Sequence, residues 1–490
     1  MHEDFEACYR AILSRDARFD GRFFTAVTST GIYCRPICPA QTPRRPNVRF
    51  YPSASAAQAA GFRACLRCRP HLAPGPVQPP GGDRVVDRAL RLIATGAADG
   101  GAGVATLARR LEVSERHLHR VLSDTVGAGP LTLARMRRLQ TARTLIEQTG
   151  MPITDVAFSA GYSSLRQFNS EVRAGTGRAP TELRRRGSAG HDGEGAIVLR
   201  LGVRPPFDGC SLLAFFAQRA VRGVERCSST TLTRSISLPR GAAVVELEPQ
   251  ATQLVVRLWL DDVRDLSAAV DACRRLFDVD ADPDAIATVL GADPLLAPLV
   301  CERPGLRVPG CVDAEEIAIR AVLGQQVSVA RATALAARLT EQLGAHLPQP
   351  RHGVDRTFPT AAAIAEADIE ELGLTPERAA TLRALALAMA RGDIDVTPAA
   401  DVAETARRLV AIRGVGAWTA TYIAMRGLRD PDAFPAGDLG LRRAFARAGG
   451  GDGGAALAAR AERWRPWRAY ATVQLWNHLS HPVRTKETSL

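Results

Sequence analysis

The spacing of apolar and polar positions changes character along the chain. From about residue 84 to 184 apolar residues recur every three or four positions, the period of amphipathic helices. Two stretches there share one design, an apolar helix, a short break and a more polar second helix. The first runs from Val104 to Leu122 and breaks at Glu112-Val-Ser114, where Ser114 is placed to cap the second helix; the other begins at Ile153 and turns at Gly161. A long amphipathic run from Leu131 to Gln148 separates them. After residue 196 the pattern shortens to strand-like runs, AIVLRL, TLTRSISL, AAVVELE and QLVVRLWL, interrupted by the helix-like LLAFFAQRAV and followed by LSAAVDACRRLF. From about Asp313 onward the spacing predicts helices alone.

Two breaks punctuate this pattern. APGPVQPPGGD, residues 73–83, excludes both helix and strand, and RRRGSAGHDGEGA, residues 184–196, has no apolar period. The chain therefore divides into four expected domains: 1–76, small and Cys-rich; 84–187, all helical; 196–305, mixed α/β; and 306–480, helical. At 46% hydrophobic and 23% charged residues, its 490 residues read as ordinary globular protein, which excludes a disordered or collagenous chain. MHEDFEACYR lacks the apolar core of a signal peptide, and no apolar run approaches the roughly 18 residues of a spanning helix, so a cytoplasmic location is expected.

Charge sharpens the picture. Lys486 is the single lysine beside 62 arginines, and residues 1–186 carry +13 against −1 for residues 187–490. A basic excess confined to the N-terminal part suits a polyanion-binding region.

Within that part, Cys34-Arg-Pro-Ile-Cys38 and Cys65-Leu-Arg-Cys68 form two short pairs, each able to bring both thiolates to one metal ion. Four sulfur ligands fit one tetrahedral Zn²⁺, and spacing alone is compatible with a purely structural site. The surrounding residues, Phe24-Thr-Ala-Val-Thr-Ser-Thr-Gly-Ile-Tyr before Cys34, Asn47-Val-Arg-Phe, and Ala60-Gly-Phe-Arg-Ala before Cys65, resemble the N-terminal domain of the Ada family of alkylation-response proteins. The resemblance implies that Cys34 irreversibly accepts a methyl group from a DNA methylphosphotriester, with Cys34, Cys38, Cys65 and Cys68 all metal ligands. Four thiolates on Zn²⁺ carry −2; one thioether leaves −1, so methylation weakens repulsion from phosphate and can switch DNA affinity.

The two helix pairs resemble the AraC/XylS-type DNA-binding domain, with Gly161-Tyr-Ser-Ser-Leu-Arg-Gln-Phe its more recognisable half. The expected recognition helices are about 115–122 and 164–173. Arg116, His117 and Arg120 on the first, and Ser164, Arg166, Gln167 and Asn169 on the second, are the polar candidates for the groove. Double-stranded DNA and RNA polymerase are the implied partners.

In the last domain, a helix at Val402–Ile412, a tight Arg413-Gly-Val-Gly416 turn and a helix at Ala417–Leu428 precede Asp438 in Phe434-Pro-Ala-Gly-Asp438. Glycines let one backbone approach another, and free amides at a helix start suit phosphate. With Ile319-Arg-Ala-Val-Leu-Gly-Gln-Gln-Val-Ser and Glu462-Arg-Trp-Arg-Pro-Trp-Arg-Ala-Tyr, this set resembles the helix-hairpin-helix base-excision glycosylases of the AlkA type. Their 3-methyladenine DNA glycosylase II activity implies Asp438 as the catalytic carboxylate, Trp418, Tyr422 and Trp476 in the base pocket, and Arg413, Gly414, Gly416 and Gln326 on the DNA. Asp438 is equally readable as a helix N-cap, and each aromatic alone as core packing. Trp418 stands where lyases of this superfamily carry a lysine, so hydrolysis without strand cleavage is implied. Gln326 occupies the wedge position in place of leucine, which motivates a rival reading, a regulator whose C-terminal half recognises damage without excising it. The remaining cysteines, Cys8, Cys210, Cys227, Cys273, Cys301 and Cys311, read as small buried hydrophobes. The expected class is multidomain α+β: a small zinc-bound α/β domain, an all-α double helix-turn-helix domain, a mixed α/β domain and an all-α glycosylase domain.

Overall fold

The computed structural model describes residues 3–70, 73, 84–94, 96–98, 103–184, 195–369, 372–397, 399–451 and 453–480. Most of both predicted breaks, and Lys486, lie outside the described residues. The chain forms two compact units, Met1–Pro205 with Ile236–Arg274, and Pro206–Ser235 with Arg275–Leu490.

The first unit opens with helix Phe5–Ser14, whose Asp4 cap accepts the Ala7 amide and whose end is turned by left-handed Arg15. A four-stranded sheet follows in the order Val48–Tyr51, Phe24–Val27, Ile32–Cys34, Arg63–Ala64. The last pairing is parallel, with Tyr33 opposite Ala64, so the next residue of one strand and the last of the other, Cys65 and Cys34, arrive together. Phe24, Ala26, Tyr33, Ala54, Ala57 and Ala64 form the core beneath, completed by Met136 from the long helix Pro130–Gln148.

That long helix joins two helix pairs. Gly103–Arg110 leads to Glu115–Val126, and Ile153–Ser159 leads to Leu165–Thr176. The second helix of each pair is built alike. Ser114 accepts the His117 amide and Ser164 the Gln167 amide, each at 3.2 Å, while left-handed Gly127 and Gly177 end the helices. Both helices run three or four residues beyond the sequence expectation, to the glycine that stops them. In the same unit, Ile197–Gly202, Gln253–Leu260 and Gly241–Gln250 pair antiparallel as the alternation predicts.

Leu232–Leu238, across which the division between units falls, pairs antiparallel with Glu225–Cys227, a strand too short to show in the sequence pattern. The second unit otherwise is helical, with one correction to the sequence expectation. His346–Arg351 and Val354–Arg356 form a hairpin: Pro348 and Pro350 forbid helix there, and left-handed His352 and Gly353 make the turn. The central helix Ala314–Leu323 is almost wholly buried, against Leu335, Leu382, Leu409 and Ile423. Its charges are internally matched: Arg234 meets Glu225 at 2.7 Å and Glu316 at 2.6 Å, and Arg320 meets the same two carboxylates at 3.1 and 2.8 Å. A second core gathers Met425, Leu441, Phe445, Trp464 and Leu475. Cys8, Cys273 and Cys311 are buried as expected, but Cys210 and Cys301 are exposed, since each lies on the outer side of a surface helix.

Candidate functional site

Two separate sites emerge. The Sγ atoms of Cys34, Cys38, Cys65 and Cys68 all lie within 4.8 Å of one another. Tetrahedral Zn–S bonds of about 2.3 Å require sulfurs about 3.8 Å apart, so the donor set fits one zinc ion. Without a cation these thiols compete for protons: contact with Cys38 pushes Cys34 up, and contact with Cys34 pulls Cys38 down to about 7. A divalent cation removes the conflict by taking all four as thiolates.

The sulfurs are not equivalent. Cys65 and Cys68 are buried, Cys34 and Cys38 half-buried. The Arg67 amide donates to Cys65 at 3.4 Å and the Arg35 amide to Cys68 at 3.3 Å, and the Ala40 amide adds a small downward pull on the Cys38 thiol. No backbone amide reaches the Cys34 sulfur among the described residues. The long helix grips the second cysteine pair at both ends. Arg143, 2% exposed, donates to the Cys65 carbonyl at 3.2 Å and to Glu147 at 2.8 Å, while Glu147 faces Arg69 at 3.3 Å.

On the helix pairs, Arg116, Arg120, Arg166 and Asn169 are exposed. Gln167 is half-buried and donates to Glu171 at 3.1 Å.

The second site surrounds Asp438. Its Oδ1 accepts the Leu441 amide at 2.7 Å and the Trp476 indole N–H at 3.1 Å, and Oδ2 accepts the Trp418 indole N–H at 3.0 Å. Asp438 is therefore the N-cap of helix Leu439–Arg447 and also the polar end of an aromatic cluster. The Trp418 and Tyr422 rings stack at 5.3 Å and 16°, and Tyr422 meets Trp476 at 6.5 Å. All three rings are half-buried, so they form a partly open wall. A carboxylate offers about four acceptor positions. Three are taken by donors that fix its orientation, and one remains on Oδ2.

Beside it, Arg413–Gly416 joins helix Val402–Ala411 to Ala417–Arg426. Gly414 has φ +92°, and a Cβ there would overlap the Thr381 hydroxyl, which itself donates to the Arg413 carbonyl at 3.0 Å. A Cβ on Gly416 would meet nothing within 4 Å, so this backbone faces open space. Arg413 and Gln326 are exposed, Gln326 in the left-handed region at φ +55°.

Sequence reasoning missed several participants. Gln325 donates to the Gly414 carbonyl at 2.9 Å and to Thr419 at 3.0 Å, bracing the turn from a distant helix end. Phe215 lies under the Arg426 guanidinium at 4.8 Å, and Arg426 donates to the Tyr422 hydroxyl at 2.7 Å. The available signals were the i,i+4 pairs Phe215/Arg219 and Tyr422/Arg426, which share helix faces.

Four family models match in series: "Metal binding domain of Ada" over residues 7–71, "Helix-turn-helix domain" over 107–186, "AlkA N-terminal domain" over 198–313, and "HhH-GPD superfamily base excision DNA repair protein" over 319–469. A Mycobacterium tuberculosis (strain H37Rv) protein named "Probable bifunctional transcriptional activator/DNA repair enzyme AlkA" is 48% identical, over 99% of this chain and 98% of that one. The chain belongs to this bifunctional AlkA family. Its two parts also match separate relatives in Escherichia coli (strain K12). DNA-3-methyladenine glycosylase 2 is 35% identical over 56% of this chain and 95% of its own length; the Ada enzyme is 31% identical over 44% and 56%. A 3-methyladenine DNA glycosylase from Archaeoglobus fulgidus shares the fold over 58% of this chain and 99% of its own, at 22% identity and TM-score 0.51. As in the bifunctional AlkA family's Ada-type domain, the four-cysteine centre is a zinc site. Among the described residues, no helix is long and apolar enough to cross a membrane.

Proposed function

We propose that the chain couples two repair chemistries to one transcriptional response, with its residues divided as 1–76 methyl acceptor, 84–187 DNA-binding domain, 196–305 α/β support and 306–480 glycosylase. Cys34 is the methyl acceptor. Bound zinc supplies the deprotonated state of the four thiols. Cys34 is half-exposed and is the sulfur that no backbone amide dampens, whereas Cys65 and Cys68 each accept one and the Ala40 amide helps hold Cys38 down. Amide hydrogen bonds draw charge from sulfur, so Cys34 is the strongest nucleophile of the set. Its sulfur takes the methyl carbon, the methyl–oxygen bond breaks, and the DNA is left as an ordinary phosphodiester anion. The centre then carries one negative charge fewer, and DNA affinity rises. Arg116, Arg120, Arg166, Gln167 and Asn169 present the DNA-reading faces; RNA polymerase is the partner that responds, in the cytoplasm.

In the C-terminal half, hydrolysis of the N-glycosidic bond of alkylated purines such as 3-methyladenine is the supported reaction. One observation carries it: a carboxylate oriented by two indole N–H groups and a helix amide at the edge of a stacked aromatic wall. Asp438 stabilises positive charge on the deoxyribose and positions the water that adds to C1′. Trp418, Tyr422 and Trp476 receive the flipped base. Arg413, Gly414 and Gly416 hold the backbone, and Gln326 stands at the gap. Trp418, bonded to Asp438, offers no amine for a Schiff base, so release proceeds without strand cleavage.

The test has two arms. Peptide mass spectrometry after incubation with methylphosphotriester DNA is expected to find one added methyl on Cys34 and none in Cys34→Ser. Base release from methylated duplex DNA is expected from the wild type alone when compared with Asp438→Asn. Tight binding to the damaged duplex with no release would favour the regulator reading.

A further inference from the structure

The contacts in the pocket run in one direction. Asp438 holds Trp418, Trp418 stacks on Tyr422, and the Tyr422 hydroxyl accepts from Arg426. Beyond lies Phe215, with the Arg219 guanidinium 3.8 Å and the Arg426 guanidinium 4.8 Å from its ring centroid. Arg426 is 5% exposed, and its other bonds go to the Pro309 and Gly310 carbonyls, at 2.8 and 3.0 Å. Arg219 bonds to the Phe215 carbonyl and the Gln218 side chain. Among the described residues neither has a carboxylate partner, whereas Arg234 and Arg320 of the same unit are each paired with two. Leaving a buried guanidinium without a counter-charge costs stability, and packing alone does not require it. Tyr422 registers the field: burial alone would raise its hydroxyl, yet Arg426 and then Arg219 hold it below the usual phenol range.

We propose that Arg219 and Arg426 form a positive end of the base pocket, opposite the Asp438 carboxylate, and that this polarity drives the glycosidic electron pair onto the departing base. The inference rests on the glycosylase reading above. When the C1′–N bond breaks, its electron pair stays on the base nitrogen and C1′ becomes positive; water then adds to C1′ and gives up a proton. A cationic base leaves neutral, and a neutral base leaves as an anion that solvent protonates. Either way the base gains one unit of negative charge facing the guanidiniums, while the sugar gains one unit of positive charge facing Asp438. The arrangement favours the transition state over the ground state for both. It differs between them in binding, because a cationic base is repelled on entry and a neutral one is not. The positive end thus acts as a specificity determinant, opening the pocket to neutral purine lesions.

The experiment uses the full chain on two duplexes, one with a single deoxyinosine, whose base is neutral, and one with a single 7-methyldeoxyguanosine, whose base is cationic. Arg219→Gln is expected to slow single-turnover release about tenfold or more on both duplexes. On the cationic duplex the half-saturating concentration should fall as well, so kcat/KM drops less there. Arg219→Lys should recover most of the rate. A merely structural role would lower kcat/KM equally for both bases and would not be rescued by lysine. If Arg219→Gln melts early, Arg219→Met, which keeps the stem against Phe215, takes its place. Release within about twofold of wild type on both duplexes, or a lysine variant no better than glutamine, would overturn the inference. Wild-type release that Asp438→Asn abolishes would leave the glycosylase reading standing in that case, whereas no release by the wild type would overturn both.

Discussion

Asp438→Asn separates the two roles that converge on this carboxylate. Asn serves as an N-cap about as well as Asp, so its carbonyl oxygen can keep the Leu441 amide and helix Leu439–Arg447 should retain its cap. What is lost is the charge and the second acceptor. The Asn amide would point its own N–H at the Trp418 indole N–H, which now donates to Oδ2 at 3.0 Å, so two donors would face each other. A unit charge about 4 Å from a forming cation, at an effective dielectric constant near 20, contributes about 4 kcal/mol. Removing a single preorganised electrostatic group from other active sites typically costs about 10²–10³ in rate, so a loss of about 10³ is expected. The melting temperature should move by no more than about a degree or two, because the cap is preserved and water can take up the N–H of half-exposed Trp418, leaving less than about 0.5 kcal/mol to lose. Asp438→Ala loses cap and charge together and should melt about 2–4 °C lower, for about 1 kcal/mol. The assay is single-turnover release of 3-methyladenine from methylated duplex, followed by chromatography, alongside thermal melts by circular dichroism. Release by Asp438→Asn within tenfold of wild type would refute the catalytic role. A loss of release matched by the Asp438→Ala melting shift would assign the effect to the cap.

Other outcomes follow from the same geometry. Trp418→Phe keeps a ring against Tyr422 but removes one N–H donor to a half-exposed carboxylate, so release should slow about tenfold, for about 1.5 kcal/mol, with little change in duplex binding. Gly414→Ala meets both φ +92° and the Thr381 hydroxyl and should cost about 1–3 kcal/mol in a denaturant melt. Gly416→Ala meets nothing and should leave the melt unchanged while weakening duplex binding in fluorescence anisotropy. Chelating zinc should free the Cys65 carbonyl from Arg143, and hydrogen exchange should then rise in the C-terminal turns of Pro130–Gln148 ahead of the second unit. Asp293, buried yet held down to about 2 by Arg460, the Leu295 amide and Trp464 against the opposing effect of burial, supplies stability that is present above its unfolded pKa of about 3.9 and lost as pH falls toward 2. Urea melts from pH 6 to 2 should show that acid loss in the wild type and a flatter profile in Asp293→Asn.

What was legible in the sequence was local. The two cysteine pairs declare a metal because ligand spacing is set by a few bonds, and Ser114 and Ser164 sit where capping physics puts them. The Gly414 turn could be read because its φ requires glycine. The parts that stayed hidden depend on contacts distant in sequence. Phe215 sits in an apolar run indistinguishable from core until Arg426, more than two hundred residues later, is found over its ring. Gln325 looked like a neighbour of Gln326 and is the brace of the hairpin. The hairpin at His346–Arg356 was lost because its apolar content is too low to show a period of two, although Pro348 and Pro350 already argued against helix. Asp438 was readable as cap or catalyst, and the indole bonds explain why these readings do not compete: the cap fixes Oδ1 and thereby aims Oδ2.

The two halves also treat arginine differently. Residues 1–186 carry +13, and the remainder −1 despite its many arginines. In the second unit several of those arginines are matched internally: Arg234 and Arg320 with Glu225 and Glu316, Arg460 with Asp293, and Arg468 with Asp432. Long-range attraction to phosphate therefore arises in the N-terminal part, where it is salt-dependent and indifferent to sequence. On the function proposed above, the glycosylase instead meets DNA at short range, through the exposed backbone around Gly416, whose amides cannot be screened once in contact. This division suits their tasks. A methyl acceptor that acts once must scan phosphates everywhere, and losing one negative charge at its zinc centre reinforces the attraction it already has. A base pocket works by the orientation of its charges, and a large net positive field over that half would blur the gradient from Arg219 and Arg426 to Asp438 that the pocket sets up.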